Sequence, residues 1–185
     1  HQKEKIDLMQ RQLTLIESTI RHLESPSPIP SYSVALKEFP QHNVVSYRQI
    51  ITTPDQEGVL WASLAEETKS LCLHYTNPQW NIAIFHDGQF IEENLDVEVQ
   101  KSVVGIYPDT GLAKCKTVEA FTAATLTFKG HYMNLPIANE AIARWITDNH
   151  YKISGPRFNI YHISPKTENS FDDMITEVCF PIQSE

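Results

Sequence analysis

The 185 residues contain three cysteines, Cys72, Cys115 and Cys179, an odd number, widely spaced and without a CxxC pair. A disulfide framework is therefore excluded as the basis of the fold, and reduced thiols in a cytoplasm are expected. The eight histidines include no HxxxH or HExxH spacing, so neither a metal nor any other cofactor is expected. Glycine is scarce, at six residues, and none builds a phosphate-cradling loop. The GxSxG elbow and the kinase signatures are missing as well, so the chain does not read as an enzyme. No apolar run approaches the roughly 20 residues needed to cross a bilayer, and no signal-peptide pattern is present. The remaining composition, 41% hydrophobic and 21% charged, suits one domain with a substantial core and a short appendage.

Positive charge is also in short supply, with 15 Lys and Arg against 23 Asp and Glu. Within residues 1–24, Lys3, Lys5, Arg11 and Arg21 cancel Glu4, Asp7, Glu17 and Glu24, so the whole net charge of −8 falls on residues 25–185. A body this acidic is repelled by phosphate backbones and attracts cations. A need for solubility accounts for the acidity as well.

What is present begins with a seam. Ile6, Met9, Leu13, Ile16, Ile20 and Leu23 follow a three-four spacing with polar residues between them. That pattern predicts a coiled-coil dimerisation helix over residues 1–24, because a lone helix of this length is marginal in water. The prolines of Ser25-Pro26-Ser27-Pro28-Ile29-Pro30 stop the helix and hold residues 25–31 extended as a linker. A chain that opens mid-pattern on His1 reads as a fragment with something upstream.

Residues 32–185 read as one motif used twice. Strand-like runs at 33–39 and 43–51 precede Thr53-Pro54-Asp55-Gln56, an N-cap, a helix-start proline and a capping-box glutamine. A helix burying Leu60, Leu64 and Leu71 follows, then strands at 80–86 and 95–103. The second half gives strands at 114–121 and 123–129, a helix around 136–149 with Ala138, Ile142, Trp145 and Ile146, and strands at 158–163 and 175–182. Ala83-Ile84-Phe85-His86 aligns with Asn159-Ile160-Tyr161-His162, and Val97-Glu98-Val99 with Thr176-Glu177-Val178. The expected fold is α+β: duplicated strand-strand-helix-strand-strand units, packed with pseudo-twofold symmetry around a central cleft and preceded by the coiled-coil helix.

Along the second half stand Gly130-His131-Tyr132, the helix with Trp145, Asn149-His150-Tyr151, Gly155-Pro156, Tyr161 and Thr176-Glu177-Val178-Cys179-Phe180-Pro181-Ile182. Their order resembles the gyrase-inhibitor-like (GyrI-like) effector-binding domains of multidrug-responsive MerR-family and some AraC-family regulators, over about residues 32–183. The leading helix selects the MerR type, which places a dimerisation helix between its winged helix-turn-helix and its effector domain. The resemblance implies a cytoplasmic homodimer that binds a small organic cation and reaches DNA only through a domain upstream. Many relatives have a glutamate two residues before the strand tyrosine, where this sequence has Asn159.

Glu177 stands in an otherwise apolar strand, where an unpaired carboxylate costs several kcal/mol and a bound cation would compensate it. A place on the solvent face is the plainer alternative. The aromatic candidates for the ligand site are Tyr47, Phe85, Tyr107, Tyr132, Trp145 and Tyr161, with Phe85 and Tyr161 equivalent in the two copies. Trp61 and Trp80 read as core. The expectation is a ligand-sensing module that binds an apolar cation. Two alternatives stand beside it: a hydrolase using Glu177 with a nearby tyrosine, and a protein-sequestering module.

Overall fold

Alternation sets the strands. In Leu95–Val103, Leu95, Val97, Val99 and Val103 point one way and Asp96, Glu98, Gln100 and Ser102 the other. The computed structural model describes residues 32–88, 91, 93–164 and 171–184. The expected coiled-coil helix and the proline-rich linker lie outside the described residues. The strands are β1 (Ala35–Phe39), β2 (His42–Ile51), β3 (Asn81–Phe85), β4 (Leu95–Val103), β5 (Lys114–Val118), β6 (Phe121–Lys129), β7 (Tyr151–Ile153), β8 (Phe158–Ile163) and β9 (Ile175–Ser184). Two helices accompany them, α1 (Glu57–Glu67) and α2 (Leu135–Asp148).

Gln56 accepts the backbone N–H of Thr52 at 2.9 Å, fixing a 3-10 turn, Pro54–Gln56, that feeds α1. Leu60 and Leu64 of α1 are buried, whereas Leu71 falls on a second 3-10 turn, Lys69–Leu71, beyond the helix end. Ala138, Ile142 and Ile146 form the buried stripe of α2. The short strand β7 has no sequence signal; it pairs with the end of β9.

Among the described residues the strands form one antiparallel sheet in the order β1-β6-β9-β8-β3-β4-β2-β5, with β7 against β9. Both helices cover the same face. Tyr47, Val99, Ala83, Asn159, Val178 and Leu126 are successive cross-strand partners, so they form one row. The near end of this row packs under α1 and the far end under α2. The helix-free face carries its own core around Phe39, Phe158, Ile160 and Cys179. Phe39 on β1 and Phe158 on β8 have ring centroids 5.6 Å apart. Three strand spacings in a flat sheet would separate them by roughly 14 Å, so the sheet curls over this face.

Candidate functional site

Glu57 begins α1 on the same stripe as Leu60, Trp61 and Leu64, so the helix carries its carboxylate inward. Tyr161 of β8 reaches it from the sheet and donates its hydroxyl to Glu57 Oε2 at 3.0 Å. Trp61, one turn along α1, donates Nε1–H to Glu57 Oε1 at 3.0 Å. The Tyr132 ring lies 5.9 Å and the Trp61 ring 6.3 Å from that of Tyr161, both edge-on. Burial pushes the Glu57 pKa above the carboxylate range, and the two neutral hydrogen bonds only oppose it. Among the described residues no lysine or arginine pairs with this carboxylate. Burial, with the Glu57 charge adding to it, also raises the phenols of Tyr132 and Tyr161, which stay neutral donors.

The sheet beneath contributes Asn159. It is fully buried, and its amide lies near the Tyr161 hydroxyl. Phe85 joins the same core, with the Arg157 guanidinium 4.3 Å from its ring centroid.

Of the residues singled out by sequence, the structure gathers Tyr161, Tyr132 and Phe85, whose core also includes buried Tyr47. Tyr107 packs at the edge of that core, its hydroxyl accepting from the His74 backbone N–H at 3.0 Å and donating to the Val104 carbonyl at 3.1 Å. Trp145 stacks on Tyr151 beneath α2, in a different core. For Glu177 the expected lack of a partner must be corrected. It is buried, but register pairs it with Ile160, on the face opposite Tyr161. There Lys37 donates to it at 2.9 and 3.1 Å and His162 Nε2 lies at 2.8 Å. Burial raises its pKa, but these partners outweigh it and hold the group below the carboxylate range. It is not unpaired, and no tyrosine hydroxyl is among these partners. Glu98 is a second example, buried on the same face with Lys116, Gln100 and His86.

Sequence reasoning missed Glu57, and it assigned Trp61 to the core. The usable signal was the stripe itself, since a residue three before Leu60 and seven before Leu64 shares their side of a helix. Among the described residues no cluster of histidine, cysteine and carboxylate side chains has the arrangement of a metal site.

The sheet thus carries two helices on one face, and the half-buried Glu57 carboxylate of the first meets the rings of Tyr161 and Trp61 there. The chain belongs to the GyrI-like family: the model of the GyrI-like small molecule binding domain matches residues 32–183. The structure of the EcmrR C-terminal domain is similar at a TM-score of 0.80 and 26% identity, covering 84% of this chain and 100% of that one. EcmrR in its complex with DNA is similar at a TM-score of 0.79 and 26% identity, covering 99% of this chain and 69% of EcmrR. A Listeria innocua protein described as a hydrolase is similar at a TM-score of 0.57 and 12% identity, over 83% of this chain and 93% of that one. That last likeness is one of fold alone. No curated protein sequence matches the chain.

Proposed function

We propose that this chain is the effector-sensing part of a MerR-type transcription regulator, and that it binds an apolar organic cation at Glu57. The observation that carries the reading is the half-buried Glu57 carboxylate, held by two neutral donors, whose pKa desolvation raises. A ligand cation would supply the missing charge, and the rings of Tyr161, Tyr132 and Trp61 would add cation–π attraction of about 0.5–2 kcal/mol each. Phe85 belongs to the same core, and Asn159 lies in the sheet beneath it. The similarity to EcmrR, seen in a DNA complex, supports a regulator that reaches DNA through a domain upstream of this one. Residues 1–24 would join two copies in a cytoplasmic homodimer.

We also read residues 32–185 as a duplication. In support, exchanging β1 with β5, β2 with β6, β3 with β8 and β4 with β9 reverses the strand order without changing it. The Lys37–Glu177–His162 and Lys116–Glu98–His86 groups exchange in the same way.

Calorimetric titration with benzyltrimethylammonium and its neutral carbon isostere, neopentylbenzene, tests the site. The cation should bind more tightly, and Glu57→Gln should weaken it by about 2–5 kcal/mol with little effect on the neutral compound. Equal losses for both would reduce Glu57 to a shaping role, and equal affinities in the wild type would remove the preference for cations. Mass spectrometry of the bound ligand after long incubation should return it unchanged. Product that disappears in Glu57→Gln would favour a hydrolase.

A further inference from the structure

The joint at the middle of the sheet runs between β3 and β8, and on its helix-bearing side Phe85 of β3 and Tyr161 of β8 share one core. The duplication read above makes the two rings equivalent, but they differ in the charge that meets them. Tyr161 donates to the Glu57 carboxylate at 3.0 Å, whereas the Arg157 guanidinium lies 4.3 Å from the Phe85 ring centroid. The matching positions are neutral: Leu135 opens α2 as Glu57 opens α1, and Asn81 aligns with Arg157. Each half therefore contributes a charge that the other lacks, and the two charges have opposite signs. Arg157 is fixed at the joint, where its carbonyl accepts the Phe85 N–H at 3.0 Å. It is half-buried, and among the described residues no carboxylate pairs with its guanidinium. The exposed arginines do have carboxylates, Arg48 on Asp96 at 2.6 and 2.8 Å and Arg144 on Glu140 at 3.0 Å. Burial pulls the Arg157 pKa down, with Tyr161 and Asp87 only opposing it.

We propose that Arg157 is the specificity-determining residue of the Glu57 site, and that the ligand is a zwitterion, with its cation at Glu57 and a carboxylate at Arg157. This rests on the reading of Glu57 as the cation site and adds the chemistry of the ligand's far end. A guanidinium presents a planar fork of N–H donors that a carboxylate matches with two parallel bonds. Stacking on Phe85 covers one face of that fork and leaves its edge unmatched, which is unfavourable for a partly desolvated cation. A ligand carboxylate supplies the match. The same charge repels a second cation, so a dication of similar length is disfavoured.

The probes are benzyltrimethylammonium with a para carboxymethyl or carboxypropyl chain, each compared with its methyl ester by calorimetry on the full chain. Acid and ester share the cation and nearly the same size, and differ in the far charge. At one of the two lengths the acid should bind about tenfold more tightly than its ester, and in Arg157→Met that ratio should fall to about one. In the ¹⁵N-labelled wild type the Arg157 Nε–H resonance should shift with the acid and not with the ester, a result independent of whether the variant folds. Equal affinities of acid and ester at both lengths, a preference that survives in a folded Arg157→Met, or an Nε–H resonance that ignores the acid would each overturn the inference. In those cases a Glu57-dependent affinity for benzyltrimethylammonium leaves the cation reading standing. An affinity for benzyltrimethylammonium that is unchanged in Glu57→Gln removes the cation reading, and this inference with it.

Discussion

Two glutamates, one buried and one half-buried, behave oppositely because of what touches them. Glu177 ends in the Lys37 ammonium and the His162 ring and its pKa is lowered, whereas Glu57 ends in a phenol and an indole and its pKa is raised. A lowered carboxylate contributes stability above its unfolded pKa, and that stability is lost as pH falls through the folded value. Glu177→Gln should therefore destabilise the domain at pH 7 by about 1–3 kcal/mol, below the full cost of breaking a buried pair because Lys37 is one-third exposed. The loss should vanish in acid. A raised carboxylate does the reverse: it is neutral to stability below its unfolded pKa, and it destabilises progressively as pH rises toward the folded value. Glu57→Gln should raise the melting temperature at pH 7 by roughly 2–4 °C, on the order of 1 kcal/mol, with no gain near pH 3. Thermal melts of both variants across pH check the two signs together, and shifts of the same sign at pH 7 would refute the contrast. Glu177's burial was legible in its apolar strand, but its pairing was not, since Lys37 lies 140 residues away. Glu57 was hidden for another reason: attention went to the apolar members of its stripe.

At the scale of elements, strands with alternating or continuous apolar runs were legible close to their ends, as for β4 and β8. Both helices were legible from their proline-marked starts. A three-residue strand such as β7 has too little sequence to carry a period, and only its pairing with β9 defines it. The connection between the halves is more constrained than its composition suggests. Thr110 and Ala113 exchange backbone hydrogen bonds, and the Thr110 hydroxyl donates to the Glu67 carbonyl at the end of α1. Gly111 sits inside this turn at φ +49, with the Glu67 carboxylate where a Cβ would go. Gly111→Ala combines a left-handed backbone with that clash, so a loss of about 1–2 kcal/mol is expected. Urea titration should show it as a lower midpoint at unchanged slope, and an unchanged midpoint would mean that Glu67 swings away and the turn relaxes freely.

For the molecule as a whole, composition and element order gave the α+β class, but not the curl that brings Phe39 onto Phe158. Closure depends on which distant strands meet, and local periodicity does not encode that. The Ile6–Leu23 seam carries the prediction of assembly: light scattering at tens of micromolar should find the full chain dimeric and a version starting at Ser31 monomeric. A monomeric full chain would refute it. The pairing of the outer strands has a further consequence during synthesis. Among the described residues β1 finds its only strand partner in β6, residues 35–39 meeting 121–125, and β5 returns to β2. A ribosome releases β1 long before β6 exists, so the first half emerges with a raw, adhesive edge. Neither half can close its outer edge alone, and β1 stays unpaired until β6 of the second half is translated. A pause between the halves would expose nascent chains on neighbouring ribosomes to one another, and their first halves would be prone to pair between chains.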